Sequence, residues 1–184
     1  MVDWSVATAK AATDGVVLVL SADDPHLSAG DGRGADVVVE GGETRSASVR
    51  AGLEALPEYA EIVVIHDGAR PLAPVSLFKE VVEAVRAGAG AAVPALDLAD
   101  TVKRVRGDVV LSTVEREELK VVQTPQAFRA QVIRGAHLSG VHATDDAGLV
   151  EQMGVVVHVV PGDRRNLKVT TPADLELVQA LAGP

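Results

Sequence analysis

The chain has 184 residues, a net charge of −9, 47% apolar residues, 2% aromatic residues and no cysteine. These values fit one globular domain with a core of Val, Leu, Ile and Ala, and they exclude a disordered chain, a disulfide scaffold and a thiolate metal site. The acidic balance and the lack of a Lys/Arg stripe argue against nucleic acid as a partner, yet a few local cations suffice to bind a small anion.

The elements read in chain order as follows. Met1 to about Thr13 has a helical pattern. Val16–Leu20 and Val37–Val39 are short β-branched runs, hence strands. Between them, Gly30-Asp31-Gly32-Arg33-Gly34 precedes a strand and opens no helix, so it reads as a surface turn and not as a phosphate loop. Val49, Leu53 and Leu56 recur at helical spacing. Ile62–His66 is a third strand, and Val75, Phe78, Val82 and Val85 form one stripe of a helix over Pro74–Arg86. Ala91–Ala95 is a fourth strand. Thr101–Arg106 and Val109–Thr113 resemble two strands joined at Gly107-Asp108, within an irregular region from 97 to 120. Such a hairpin is either a solvated edge or an arm that finds a partner. Val121–Gln123 is a weaker strand candidate, and VVQTPQAF (121–128) otherwise reads as a polar turn. ATDDAGLVEQMG (143–154) starts a helix with acids in its first turn, an arrangement that stabilises a helix without any function. Val155–Val160 is a further strand. In the last helix Thr171 is the cap, Pro172 the first helical residue and Asp174 the capping-box acid.

Strand and helix alternate, so the class is α/β with a mostly parallel sheet. No apolar run reaches membrane-spanning length. No basic segment followed by an apolar one marks a signal peptide. The expectation is a cytoplasmic protein of one domain, 1–184. The five histidines lack metal-ligand spacing. His137 and His142, the nearest pair, are better explained by a solvated surface.

The chemistry concentrates in IHDGARP (65–71). A strand delivers Asp67, a carboxylate suited to a hard cation such as Mg²⁺. Gly68 lets a ligand approach the backbone, and Arg70 offers a planar fork for phosphate. Pro71 restricts the residue before it. The plainer alternative is a turn in which Asp67 and Arg70 pair with each other. EGGETRSASV (40–49) sets two glycines between a strand and a helix, either as a seat for a base, ribose or anion or as an ordinary capped loop. NLKVTTPADL (166–175) places Lys168 ahead of the last helix.

Taken together and in order, GGETRSASV, VIHDGARP, DTVKR, TVERE, TPQAF, TDDAGLVE and NLKVTTPADL resemble the 2-C-methyl-D-erythritol 4-phosphate cytidylyltransferase family of the non-mevalonate isoprenoid pathway. The resemblance runs from about residue 40 to 177. It implies a Rossmann-like nucleotidyltransferase domain with a projecting hairpin arm, and a homodimer clasped through that arm. It implies CTP and a polyol phosphate as substrates and Mg²⁺ as cofactor. Asp67 would bind the metal, and Arg70 and Lys168 would face the sugar phosphate. Thr101, Arg116 and Thr124 would contact the acceptor, the first two in the neighbouring subunit's site if the arm crosses over. Gly42, Glu43 and Ser48 would lie near the cytidine, and Gly68 near the ribose. Glu43 stands where some relatives carry Asp.

The family also opens with a strand, a Gly-rich loop bearing Arg, and a Pro-Lys pair that hold the CTP phosphates. No such unit occurs in this sequence, so the resemblance implies a chain starting beyond it, with weakened turnover. Two other readings stand beside this one. One is a cytidylyltransferase for another polyol phosphate such as ribitol 5-phosphate. The other is a non-catalytic homologue that binds a nucleotide or sugar phosphate.

Overall fold

β-Branched runs and amphipathic stretches alternate along the chain, and they fold accordingly in the computed structural model, which describes residues 1–29, 31–139 and 143–183. Gly30 of the glycine-rich run and His142 lie outside the described residues. The elements are α1 (Val2–Ala12), β1 (Val17–Leu20), α2 (Pro25–Ser28), β2 (Val37–Glu40), α3 (Arg45–Ala55), β3 (Ile62–Ile65), α4 (Val75–Arg86) and β4 (Ala91–Asp97). Then come β5 (Val102–Arg106), β6 (Val109–Val114), β7 (Lys120–Val122), β8 (Gln126–Arg129), α5 (Ala130–Leu138), α6 (Asp146–Gln152), β9 (Val157–Pro161) and α7 (Pro172–Ala182).

The sheet is mixed where the sequence suggests a mostly parallel one. β8 runs antiparallel between β3 and β4, and β7 also runs antiparallel to β4. β9 is parallel to β4, and β1–β2 is a separate parallel pair. The segment 121–128 is therefore not a plain turn. It holds the end of one strand, a cis Thr124–Pro125 peptide, and a central strand. Only four residues long and introduced by Thr-Pro, β8 carries almost no period-two signal. α5 escaped the sequence for a similar reason, being a nine-residue helix interrupted by Gly135.

Alternation along β8 builds both cores. Phe128 pairs with Val63 on one side and Ala91 on the other, and all three face Leu53, Ile133, Leu149 and Val150. The next residue back, Ala127, pairs with Val64 and Ala92 on the opposite face, against Val81 and Val85 of α4. Successive side chains point to opposite faces of a strand, so one short strand joins two layers of helices. Alanines at 91, 92 and 127 leave room for the helices to approach.

Among the described residues the hairpin β5–β6 pairs with no other strand, and it exposes Val105, Val109, Val110 and Leu111. In the glycine-rich run, the Asp31 carboxylate accepts from the Arg33 N–H at 3.0 Å, and Arg33 and Gly34 take φ of 47° and 89° in a turn.

The last helix matches its sequence signals. The Thr171 hydroxyl accepts from the Asp174 N–H at 3.3 Å, and the Asp174 carboxylate accepts from the N–H groups of Thr170 at 2.9 Å and Thr171 at 2.7 Å. The Thr170 N–H, then the Thr170 hydroxyl and the Thr171 donors, draw the Asp174 carboxyl down to about 2. Its folded value lies below the ordinary 3.8, so its contribution is present above that pH and is lost as pH falls toward 2. Asp174→Asn should therefore lower the denaturant midpoint at pH 7, and the gap to the parent chain should narrow between about pH 4 and pH 2. In the core, Phe128 is fully buried. Phe128→Ala should cost about 3–5 kcal/mol in equilibrium unfolding.

Candidate active site

β3 ends at Ile65, and the chain turns sharply just beyond it. The Arg70 N–H donates to the Asp67 carbonyl at 2.9 Å, which closes the turn. The Val169 N–H donates to the Ala69 carbonyl at 2.8 Å, which docks the segment before α7 against it. The two stretches singled out in the sequence, 65–71 and 166–175, are thus neighbours through their backbones.

Their side chains meet as well. Lys168 Nζ lies 2.8 Å from one Asp67 oxygen, and Arg45 Nη2 lies 3.7 Å from the other. Asp67 does not form its ion pair with Arg70. The Arg70 guanidinium instead donates to the Asn166 carbonyl at 2.8 Å. Burial pushes the Asp67 carboxyl upward, but Lys168, with Arg45 and Arg70 behind it, outweighs burial and holds the pKa below its ordinary value. The carboxylate is therefore charged at neutral pH.

Arg45 is the residue that sequence reading missed. It opens α3, directly after the Thr44 cap, whose hydroxyl accepts from the Ala47 N–H at 3.1 Å. Its Nη2 is 2.7 Å from Asp146, whose side chain is 1% exposed. The other Asp146 oxygen is 2.9 Å from His137 Nε2. Asp146 is thus more than a favourable charge in the first turn of α6. It is a buried carboxylate ion-paired with Arg45 through one oxygen and hydrogen-bonded to His137 through the other. Asp145 is the helix cap, accepting from the Gly148 N–H at 2.9 Å and from Gln126 Nε2 at 3.1 Å. His137, read from sequence as solvated, is buried. An Arg following a capped Gly-Gly loop was visible in GGETR, but nothing local points it at a carboxylate so far along the chain.

Of the remaining predicted residues, Gly68 and Thr124 adjoin Asp67, while Gly42, Glu43 and Ser48 lie in the loop and first turn around Arg45. Gly42 lies where the loop meets α3, and a Cβ there would sit 2.4 Å from the Ala47 Cβ. The Ser48 hydroxyl donates to the Gly42 carbonyl at 3.3 Å, and Glu43 is exposed beside them. Gly68 is exposed at the turn, with its carbonyl 3.4 Å from the Ser5 hydroxyl of α1. Thr124 is buried, its hydroxyl engaged by the Asp67 N–H at 3.0 Å and by His66 Nδ1 at 3.1 Å. Thr101 and Arg116 lie on the arm, where they line one groove with Thr113, Val114 and Glu115. Arg116 donates to the Ala99 carbonyl. His66 is held neutral because burial, against the Arg70 carbonyl and Asp67, lowers its pKa to about 4.

Among the described residues no group of three or more His, Cys, Asp or Glu side chains converges. A lone carboxylate beside Lys168 and Arg45 suits Mg²⁺, which takes few protein ligands and keeps water or phosphate oxygens for the rest. It does not suit zinc, which needs three or four protein ligands.

The family model described as IspD, 2-C-methyl-D-erythritol 4-phosphate cytidylyltransferase, matches residues 1–183. A protein of that name from Streptomyces avermitilis is 47% identical over 96% of this chain and 73% of its own length. One from Streptomyces coelicolor is 51% identical over 79% of this chain, which spans only 57% of that relative. Among solved structures, the 2-C-methyl-D-erythritol 4-phosphate cytidylyltransferase of Thermus thermophilus superposes with a TM-score of 0.85 at 39% identity, covering 98% of this chain and 87% of that one. The 4-diphosphocytidyl-2C-methyl-D-erythritol synthase of Anaerococcus prevotii gives 0.88 at 31% identity, covering 100% and 86%. With a family match over residues 1–183 and a relative 47% identical over 96% of its length, the chain belongs to the 2-C-methyl-D-erythritol 4-phosphate cytidylyltransferase family.

Proposed function

We propose that this protein transfers the cytidylyl group of CTP to the phosphate of 2-C-methyl-D-erythritol 4-phosphate. The observation that carries this reading is the Asp67 carboxylate flanked by Lys168 at 2.8 Å and Arg45 at 3.7 Å. Such a cluster gathers two anionic reactants and a cation in one place. An acceptor phosphate oxygen attacks the α-phosphorus of CTP, the new P–O bond forms, the bond to the β-phosphate bridge breaks, and pyrophosphate leaves. Reactions of this type depend on positioning and on fixed charge more than on covalent help from the protein.

Asp67 would hold Mg²⁺, which when bound neutralises phosphate charge and brings the two reactants together. Lys168 and Arg70 would receive the acceptor phosphate. Lys168 then exchanges an intramolecular carboxylate for a substrate oxygen, so its present ion pair keeps it extended toward the site. Thr101 and Arg116 would reach the acceptor from the arm, and the Thr124 segment would border it. Gly42, Glu43 and Ser48 would surround the cytosine, and Gly68 the ribose. The same reading makes the protein a cytoplasmic enzyme. No helix among the described residues is long and apolar enough to cross a membrane.

The arm favours a homodimer. A two-stranded hairpin alone is marginally stable in water. Val105, Val109, Val110 and Leu111 are each about half exposed, at 57%, 58%, 57% and 47%. A second copy of the arm region would cover them and would bring Arg116 to the neighbouring site.

The 184 residues contain no Arg-bearing Gly-rich loop followed by a Pro-Lys pair to clamp a triphosphate, so the acceptor half of the reaction is the firmer test. In calorimetry with Mg²⁺, 2-C-methyl-D-erythritol 4-phosphate should bind, and Lys168→Ala should weaken it. Pyrophosphate release from CTP should require that acceptor and fall by about 10²-fold or more in Asp67→Ala. Equal or better binding of ribitol 5-phosphate would reassign the acceptor. Sedimentation should show a dimer, and Val109→Asp with Leu111→Asp should give monomer.

A further inference from the structure

We propose that His66 is a positioning residue, the origin of a closed ring of hydrogen bonds that fixes the Asp67 and Arg70 ends of the turn together. His66 is the one polar residue of the 65–71 segment to which neither the sequence motifs nor the proposed reaction gives a task. Its ring nevertheless makes two polar contacts, and in the neutral imidazole the direction of the first sets the direction of the second.

His66 Nε2 lies 3.2 Å from the Arg70 carbonyl. A carbonyl only accepts, so Nε2 carries the hydrogen. In a neutral imidazole, Nδ1 is then a bare acceptor. Thr124 Oγ1 lies 3.1 Å from it, so the threonine hydroxyl hydrogen points at Nδ1. That leaves a lone pair of the same oxygen to receive the Asp67 N–H at 3.0 Å. With Nε2 as the donor tautomer, the threonine hydroxyl donates to His66 and accepts from the Asp67 backbone at once, which links the imidazole to that N–H through one oxygen.

The chain of donors closes on itself. His66 donates to the Arg70 carbonyl, and the Arg70 guanidinium donates to the Asn166 carbonyl at 2.8 Å. Asn166 Nδ2 donates to the Thr124 carbonyl at 2.8 Å, and Thr124 donates back to His66. Every residue donates to the next in the same sense around the circuit, and the His66 imidazole is the one group in it whose donor and acceptor share a single conjugated ring, so the circuit acts by tying segments together. Asn166 is fully buried and Thr124 is 5% exposed, so water competes poorly for these bonds. The imidazole is held from behind by Phe78, with ring centroids 5.0 Å apart. The ring of bonds ties the end of β3, the start of β8 and the segment before α7 into one unit. It fixes where the Asp67 carboxylate starts and which way the Arg70 fork points.

This inference rests on the reading of Asp67 as the metal ligand and Arg70 as a phosphate ligand, and its test is independent of turnover. Long-range ¹H–¹⁵N spectra of the intact protein at neutral pH should show His66 as the neutral Nε2–H form. In His66→Phe, which keeps an aromatic ring against Phe78 but removes both ring nitrogens, the Asp67 amide should exchange about tenfold faster. Affinity for Mn²⁺, used as a paramagnetic probe, should weaken by about 10-fold or more, as for other outer groups that orient a ligand. Thr124→Val should do the same, Thr124→Ser should restore the parent behaviour, and the double variant His66→Phe/Thr124→Val should cost little beyond either single change. An Nδ1–H tautomer in the parent protein would overturn the proposal even if every variant failed to fold. So would unchanged Asp67 amide exchange in a folded His66→Phe, or fully additive effects in the double variant. If tautomer and exchange behave as stated but no acceptor binds, the ring stands and the assignment of the reaction falls.

Discussion

The structure depends on keeping one carboxylate charged while it is mostly withdrawn from water. Asp67 has only 17% of its side chain exposed. Burial alone would favour its neutral acid, and a neutral acid neither attracts a metal nor organises cations. Lys168 and Arg45 reverse that balance, and they come from opposite ends of the sequence. Three connections of the fold converge at this point: β3 delivers the acid, α3 delivers the arginine, and the approach to α7 delivers the lysine.

Each cation is itself held in a manner suited to exchange. Arg45 is anchored on Asp146, which is buried and paired on its far side with His137. It can therefore lose its weaker 3.7 Å approach to Asp67 without leaving the site. Lys168 has no comparable anchor among the described ion pairs, and its long flexible stem lets it follow a phosphate. Arg70 is the most constrained, partly buried and with Nη1 committed to a backbone carbonyl. The three cations thus differ in freedom, from fixed to mobile, around one fixed anion. That gradient fits the proposed reaction, in which the site assembles first and then hands its charges to a substrate.

Much of this was legible in the sequence, and the failures have physical causes. The strand that ends beside Asp67, the hairpin and the capping box of α7 each carry a dense local signal, whether a β-branched run, a turn pair or Thr-Pro-x-Asp. The shared site of Asp67 and Lys168 was implied only by the family resemblance that the motifs carry together, not by either motif alone. What escaped was non-local. β8 is four residues long, and its partners on both sides make it a strand, since Phe128 and Ala127 answer to Val63, Ala91, Val64 and Ala92 and not to a pattern of their own. Arg45 and Asp146 look like an exposed helix start and a helix-dipole charge until tertiary structure makes them a pair. His66 looks like the end of a strand until the direction of its bonds is worked out. Burial and pairing reassign polar residues, and a linear pattern contains neither.

α3 has a further consequence for the whole site. Among the described residues, β1–β2 makes no ladder with the larger sheet. On one side α3 packs so closely that a Cβ on Gly52 would lie 3.1 Å from Val19 of β1. On the other, Leu53 joins Val63, Phe128 and Ile133 in the main core. Neighbouring residues on one helix therefore bind two separate sheets. The loop of Gly42 leaves the smaller sheet and Asp67 leaves the larger one, so their spacing is set by how α3 sits between them. The Arg45–Asp146 ion pair pins the N-terminal end of that same helix to α6. A helix fixed at its middle by packing and at its end by a buried charge cannot rotate without breaking one of them. That double constraint keeps the loop proposed for the base in register with the acid proposed for the metal.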